Sequence, residues 1–407
     1  QRDANSERTG RVLPCQREEC RVTRKLTEAL CCLALFLPGI GMPAEADTFM
    51  FDSAGMQLYI DELSDVDGVV WAIDFLDENT LIYTVRSGTV GLLDLETLST
   101  RILTGAPAVH RVVGGGPFDK VKSGGLFDVL VDHDFTTNRL IYLAYVKKTP
   151  NGHALAVARA TIQGAALTDL TDIFIANNDN DEPGRWGTRL AMDAERHLYI
   201  AVGDRRIRAT AQDLGNHCGK IVRINPDGST PSDNPFVSSA SAAPEVWSYG
   251  HRNPQGLTFQ PGTNLLFEHE HGPDGGDEIN LIAAGKNYGW PVVSLGVSRT
   301  GKQIGTRAPQ PGMEQPLKSY EPGIAPSGMS FATGDRYPGW EGNLFIGSLN
   351  RRRLNRLMLD ETRIFGEEIL LVAWQERIRD IEQGPDGLIY LATGSGKIVR
   401  IRRTEDS

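Results

Sequence analysis

The chain is predicted to be all-β and to fold as a six-bladed β-propeller. Three observations predict this. A short apolar phrase recurs six times, at intervals of 44–79 residues. Helical periodicity is nearly absent beyond the N-terminus. The 44 glycines and 22 prolines are spread along the chain, as many tight turns require. In order, the copies are Leu81-Ile82-Tyr83, Leu140-Ile141-Tyr142, Leu198-Tyr199-Ile200, Leu265-Leu266-Phe267, Leu344-Phe345-Ile346 and Leu388-Ile389-Tyr390. Each is rich in β-branched or aromatic residues and lies between turn residues, so each reads as a strand. Residues 89–93, 220–224 and 397–401 read as a further strand close behind three of them. A repeat of about 60 residues holds four short strands with their loops, which is one propeller blade. Ligand sites would then lie on loops around the central channel.

Residues 1–46 are expected to lie outside the propeller, which takes residues 47–407. Arg21, Arg24 and Lys25 precede the apolar run 30–37, and Ala44-Glu45-Ala46 follows with small residues at a cleavage position. This is the pattern of a secretory signal peptide, and the run is too short to span a bilayer. The expectation is therefore a periplasmic or secreted protein with no membrane span after cleavage. The net charge of −10 argues against nucleic acid or an anionic membrane as a partner. Four of the five cysteines fall in the leader, so Cys218 has no internal disulfide partner and reads as a packed residue.

Two polar clusters could carry chemistry. The first is the run 269–278, His-Glu-His-Gly-Pro-Asp-Gly-Gly-Asp-Glu. His269 and His271 flank Glu270, but a zinc site needs three or four converging ligands. Calcium takes carboxylate and carbonyl oxygens, which a Gly272-Pro273 turn would expose. A solvated acidic loop is the plain alternative. The second is Trp247 to Leu257, where Arg252 and Asn253 precede Pro254 and are pushed towards extended backbone. Arg377 and Arg379, two apart in a strand, would share a face suited to a carboxylate-rich ligand.

At these residues the chain resembles a known family, the soluble PQQ-dependent sugar dehydrogenases of the glucose/sorbosone dehydrogenase type. The matching blocks are residues 248–256, 270–273, 277–280 and 285–291, in that order. The resemblance implies a six-bladed propeller that oxidises an aldose to its lactone, with PQQ and Ca2+ as cofactors. It implies that Asn253, with Arg252 beside it, contacts PQQ. Arg377 and Arg379 would face its carboxylates. Gly272 and Pro273 would offer carbonyls to the catalytic Ca2+, and Glu278 and Tyr288 would form a separate, structural calcium site.

The chain departs from the family pattern at three positions. The family's base, a histidine, lies in a block that here reads Gly184-Arg185-Trp186-Gly187-Thr188-Arg189-Leu190, so Arg185 stands in its place. An arginine stays protonated and cannot accept a proton. Asp204 matches the acid that orients the histidine, and it is expected to pair with Arg185 instead. Ser123 replaces a cofactor-side glutamine and Asn350 a lysine. Three functions stay open at this point: an aldose dehydrogenase with an altered base, a non-catalytic calcium-binding propeller, and a calcium-dependent lactonase.

Overall fold

The computed structural model describes residues 49–113, 121–177 and 180–406; the leader and its cleavage position lie outside these. Among the described residues, six sheets are arranged as a β-propeller, with one extra two-stranded ribbon, Arg111–Val113 against Val121–Gly124. The first strands of the blades are Val70–Asp77, Leu126–Val131, Gly187–Met192, Pro254–Phe259, Pro326–Phe331 and Ile378–Gln383. Each packs against the first strand of the blade on either side, so these six form a closed ring around the channel.

The repeated apolar phrase is the second strand of every blade: Thr80–Val85, Leu140–Thr149, Leu198–Val202, Leu266–Glu270, Leu344–Ser348 and Ile389–Thr393. A blade is covered by a neighbour on each face, so this strand is apolar on both sides instead of alternating. Leu81, Ile82, Ile141, Tyr142, Leu198, Ile200, Phe345 and Tyr390 are all fully buried. Each such side chain contributes about 1.5–3 kcal/mol of burial free energy.

The two ends of the described chain close the ring. Met56–Asp65 pairs antiparallel with Lys397–Arg403, from Leu58 opposite Arg403 to Asp65 opposite Lys397. The last blade therefore mixes N-terminal and C-terminal strands, and Met50–Ser53 adds a fifth at its edge. Among the described residues no helix is long and apolar enough to cross a membrane. Cys218 is buried.

Carboxylates on the first strands staple one blade to the next. Asp380 accepts the Ile73 amide at 2.9 Å, Asp74 the Val131 amide at 2.6 Å and Asp128 the Leu190 amide at 2.7 Å. Arg189 reaches across the channel between them. Its Nη1 donates to Asp128 at 2.7 Å, its Nη2 to Asp380 at 2.8 Å and to the Arg379 carbonyl at 2.8 Å, and its Nε to the Gln255 carbonyl at 3.0 Å. One side chain thus ties four blades together. Burial pushes the Asp380 and Asp74 carboxyls up to about 7. Burial opposes the Arg189 charge as well, but Asp380 and Asp128 outweigh it and hold the proton more tightly.

Replacing Arg189 with Met should cost about 3–5 kcal/mol of unfolding free energy near pH 8, because it strands buried carboxylates. These carboxyls have folded-state pKa values above the unfolded value. They bind protons in the fold at pH 5, and the penalty for their charge then disappears. The loss should therefore be smaller at pH 5 than at pH 8, as urea unfolding at the two pH values would show. An equal loss at both would contradict this role.

Candidate active site

In an antiparallel blade, the start of the first strand and the end of the second lie at the same end of the channel. The candidate residues obey this rule. Arg185 and Asn253 lie just before or at the start of first strands, and Asp204, Gly272, Pro273 and Asn350 lie just after second strands.

Arg185 and Asp204 form an ion pair. Arg185 Nη1 donates to Asp204 Oδ2 at 2.9 Å and to Oδ1 at 3.2 Å. Asp204 is fully buried and also accepts Trp290 Nε1 at 2.9 Å and the Arg206 amide at 2.8 Å. Both its oxygens are occupied, so it holds Arg185 in place. Arg185 takes a left-handed backbone (φ 52°), a position that favours glycine. With Trp71, Ser123, Trp186, Asn253 and Gln255 it lines a pocket of about 140 Å³. Ser123 Oγ accepts Trp186 Nε1 at 3.3 Å, and Gln255 Nε2 donates to the Gly187 carbonyl at 2.7 Å.

Gly272, Pro273 and Asn350 line a second cleft, of about 410 Å³, together with His271 and Asp277. The two cavities meet where the His271 amide donates to the Asn253 carbonyl at 3.1 Å. The loop is tight at Gly272: a Cβ there would stand 2.2 Å from the Gly275 and Gly276 carbonyl oxygens. Its amide donates to Asp277 Oδ1 at 2.8 Å. Among the described residues, neither the Gly272 nor the Pro273 carbonyl accepts a hydrogen bond, so both remain available to a ligand.

Glu278 and Tyr288, expected to form a separate calcium site, lie close to the Gly272-Pro273 loop. They share a small enclosed space with Gly272, Pro273, Glu270 and Arg252. The antiparallel pairing that sets Glu270 opposite Glu278 brings the two expected calcium positions together. The zinc reading fails. His269 is fully buried with its ring against Gly256, and His271 Nε2 contacts the Pro326 carbonyl at 2.6 Å. Ligand atoms that do converge near this strand, within 4.8 Å, belong to His251, Glu268 and Glu270; among the described residues Asp193, Glu195 and His197 form another such group. Burial first, then neighbouring carboxylates, pushes Glu268 and Glu278 well above the usual carboxylate range. Burial pushes His251 down to about 3, leaving it neutral, and its Nδ1 has no hydrogen-bond partner; neither has Glu268 Oε1. Buried carboxylates without a counter-charge are a good fit for a hard cation with oxygen ligands.

Arg252 stacks over Trp290, 5.3 Å from the ring centroid, and donates to the His271 carbonyl. Burial and then Arg185 push its pKa down to about 10, which places the two cations in one field. Arg377 and Arg379 are not equivalent. A register shift between Ile378 and Asp380 breaks the expected two-residue alternation. Arg379 lies over Trp71, which lines the first pocket, at 4.5 Å, whereas Arg377 packs against Gly394. Arg86 stands 5.5 Å from Trp71 and lines the pocket, a cation that no local motif had singled out. Arg185, Arg252, Arg379 and Asn253 thus suit a ligand bearing several carboxylates, and the free carbonyls beside them suit a cation bound against it.

A propeller with a cation-lined site at one end of its channel defines a class of ring-shaped, ligand-binding proteins. Residues 68–400 match the Glucose / Sorbosone dehydrogenase family model, and the chain belongs to that family. It is 34% identical over 339 residues to the aldose sugar dehydrogenase YliI of Escherichia coli, covering 81% of this chain and 89% of that protein. It is 26% identical over 356 residues to quinoprotein glucose dehydrogenase B of Acinetobacter calcoaceticus, covering 68% and 74% respectively. A solved glucose dehydrogenase superposes with a TM-score of 0.79 at 37% identity, over 84% of this chain and 98% of that one.

Adding millimolar Ca2+ to chelator-treated protein should raise the melting temperature, because a ligand that binds only the folded state stabilises it. Changing Glu278 to Gln should shrink that rise. No difference between chelator and Ca2+ would count against a cation at this cluster.

Proposed function

We propose that the protein is a PQQ- and Ca2+-dependent aldose dehydrogenase, exported to the periplasm as residues 47–407, which oxidises the C1 hydroxyl of a sugar to a lactone. The observation that carries this reading is that the free Gly272 and Pro273 carbonyls stand beside a group of cations and an amide: Arg252 lines a space with them, Arg185 and Asn253 line the first pocket, and Arg379 lies over its Trp71. Membership of a family whose relatives are named aldose sugar dehydrogenase and quinoprotein glucose dehydrogenase supports it. When bound, the quinone would supply the acceptor for the hydride, which carries both electrons from C1, and Ca2+ would polarise it.

The chain's own residues have three tasks. Arg252, Arg379 and Asn253 bind and orient the carboxylate-bearing cofactor, with Ser123 and Asn350 at its margins. Gly272 and Pro273 hold the cation by their carbonyls, while Glu278 and Tyr288 close the space behind it. Arg185 and Asp204 occupy the place where a proton would be taken. Arg185 cannot accept one, and both Asp204 oxygens are already engaged. The residues lining that pocket include neither a histidine nor a carboxylate.

The loss of a positioned base typically lowers the rate on the order of 10²–10⁴-fold. Protein reconstituted with PQQ and Ca2+ should therefore turn over simple aldoses slowly. Arg185→His should raise kcat by at least about tenfold, since an imidazole oriented by Asp204 accepts a proton near neutral pH. Wild-type turnover equal to that of the Escherichia coli relative would overturn the assignment of Arg185. The same ion pair favours a second reading, a propeller that binds its ligands without turnover. That reading prevails if PQQ binds and neither form oxidises any sugar.

A further inference from the structure

Beyond the residues that the family resemblance assigns to PQQ, one group of cations remains without a task. It lies on the turn Asp204-Arg205-Arg206-Ile207-Arg208, which starts at the ion-pair partner of Arg185 and touches Gly184 of its pocket through Arg206. Arg205 and Arg206 both take left-handed backbone conformations, at φ 49° and 63°, facing Arg185 at φ 52°. Three adjoining arginines in a conformation that side chains disfavour is the kind of strain that functional sites retain. The Arg206 amide bonded to Asp204 and the Arg205 amide bonded to the Arg185 carbonyl at 3.4 Å hold the turn in place.

The three arginines of this turn differ in what they do. Arg205 is buried, stacks on Trp186 at 3.3 Å from the ring centroid, and donates to the His153 carbonyl, so its task is structural. Arg206 is exposed, and its guanidinium lies over Gly184, with Nη2 3.6 Å from where a Cβ would stand. Gly184 lines the pocket. Arg208 is exposed and lies 5.8 Å from the Trp290 ring centroid, on the indole that also holds Asp204. Neither Arg206 nor Arg208 forms an ion pair with a carboxylate among the described residues. On a chain of net charge −10, these two exposed cations stand next to Gly184 of the pocket and Trp290 of the Asp204 cluster.

We infer that this turn recognises an anionic sugar, an aldose bearing a carboxylate or phosphate away from its reducing end. The inference rests on the dehydrogenase reading for the identity of the ligand as an aldose. An uncharged sugar gains little from an exposed guanidinium, whereas the planar fork matches a carboxylate or phosphate edge to edge. A positive patch on a negative protein also raises the local concentration of anions and their rate of arrival.

The test is calorimetric binding of glucose, glucuronate and glucose 6-phosphate to the Ca2+-supplied protein, with and without PQQ. One of the two anionic sugars should bind at least about tenfold more tightly than glucose at low salt. A preference for glucuronate alone or for the phosphate alone identifies the anion. The ratio of anionic to neutral affinity should fall towards one in the Arg206→Gln/Arg208→Gln double variant, and in high salt for the wild type. Equal affinity for neutral and anionic sugars, or no binding of either, overturns the inference; so does a preference that survives in the double variant. The PQQ arm separates this from the dehydrogenase reading. Failure to bind PQQ would sink that reading and leave the sugar comparison standing on its own.

Discussion

The structure depends most on the position of Arg189 in the channel. A propeller is a ring of sheets, and nothing in a single blade fixes its distance from the blades across the axis. Arg189 supplies that restraint by bonding to the second, fourth and sixth blades from the third. Its guanidinium also balances Asp128 and Asp380, which in turn hold the backbone amides of adjoining blades. The site inherits its geometry from this arrangement. Two residues before Gln255, whose carbonyl Arg189 holds, stands Asn253, and Arg379 is held by its own carbonyl. A small shift at the hub would move both walls of the pocket.

Charge is divided along the channel. Towards the first-strand interior lie Asp74, Asp128, Asp380 and Glu382 around one arginine, and burial keeps their protons on to higher pH. At the open end stand Arg86, Arg185, Arg252 and Arg379 around a few engaged carboxylates. Beside them, Glu268, Glu270 and Glu278 crowd together with a neutral histidine. The third of these regions contains carboxylates and a neutral histidine with no arginine set between them as Arg189 is in the first, which is why a cation fits there. The open end has an excess of positive charge, which is why an anion does.

Much of this was legible in the chain, for physical reasons. The second strand of each blade is buried on both faces, so it keeps an apolar signature whatever its loops do, and six copies announce six blades. The pairing of Arg185 with Asp204 was legible because both follow from blocks of fixed order around neighbouring strands. The misplacements also have causes. Arg377 and Arg379 were expected on one face, but a bulge at Ile378–Asp380 changes the alternation, and no local signal marks a bulge. Glu278 and Tyr288 lie beside Gly272 and Pro273 because strand pairing sets Glu270 opposite Glu278, a proximity the linear order does not display. Arg86, His251 and Glu268 were not singled out, because contacts between blades carry no local pattern.

The central claim is that the site keeps the carbonyls, arginines and amide suited to a cation and an anionic cofactor, with Ser123 and Asn350 changed at its margins, while Arg185 has replaced the proton acceptor. The most direct measurement is equilibrium binding of PQQ to purified protein, followed by the quinone absorption, with Ca2+ and with chelator. The account predicts saturable one-to-one binding in Ca2+, lost in chelator and weakened by Asn253→Ala, but retained by Arg185→His. No binding under either condition, or binding indifferent to Ca2+ and to Asn253, would contradict it.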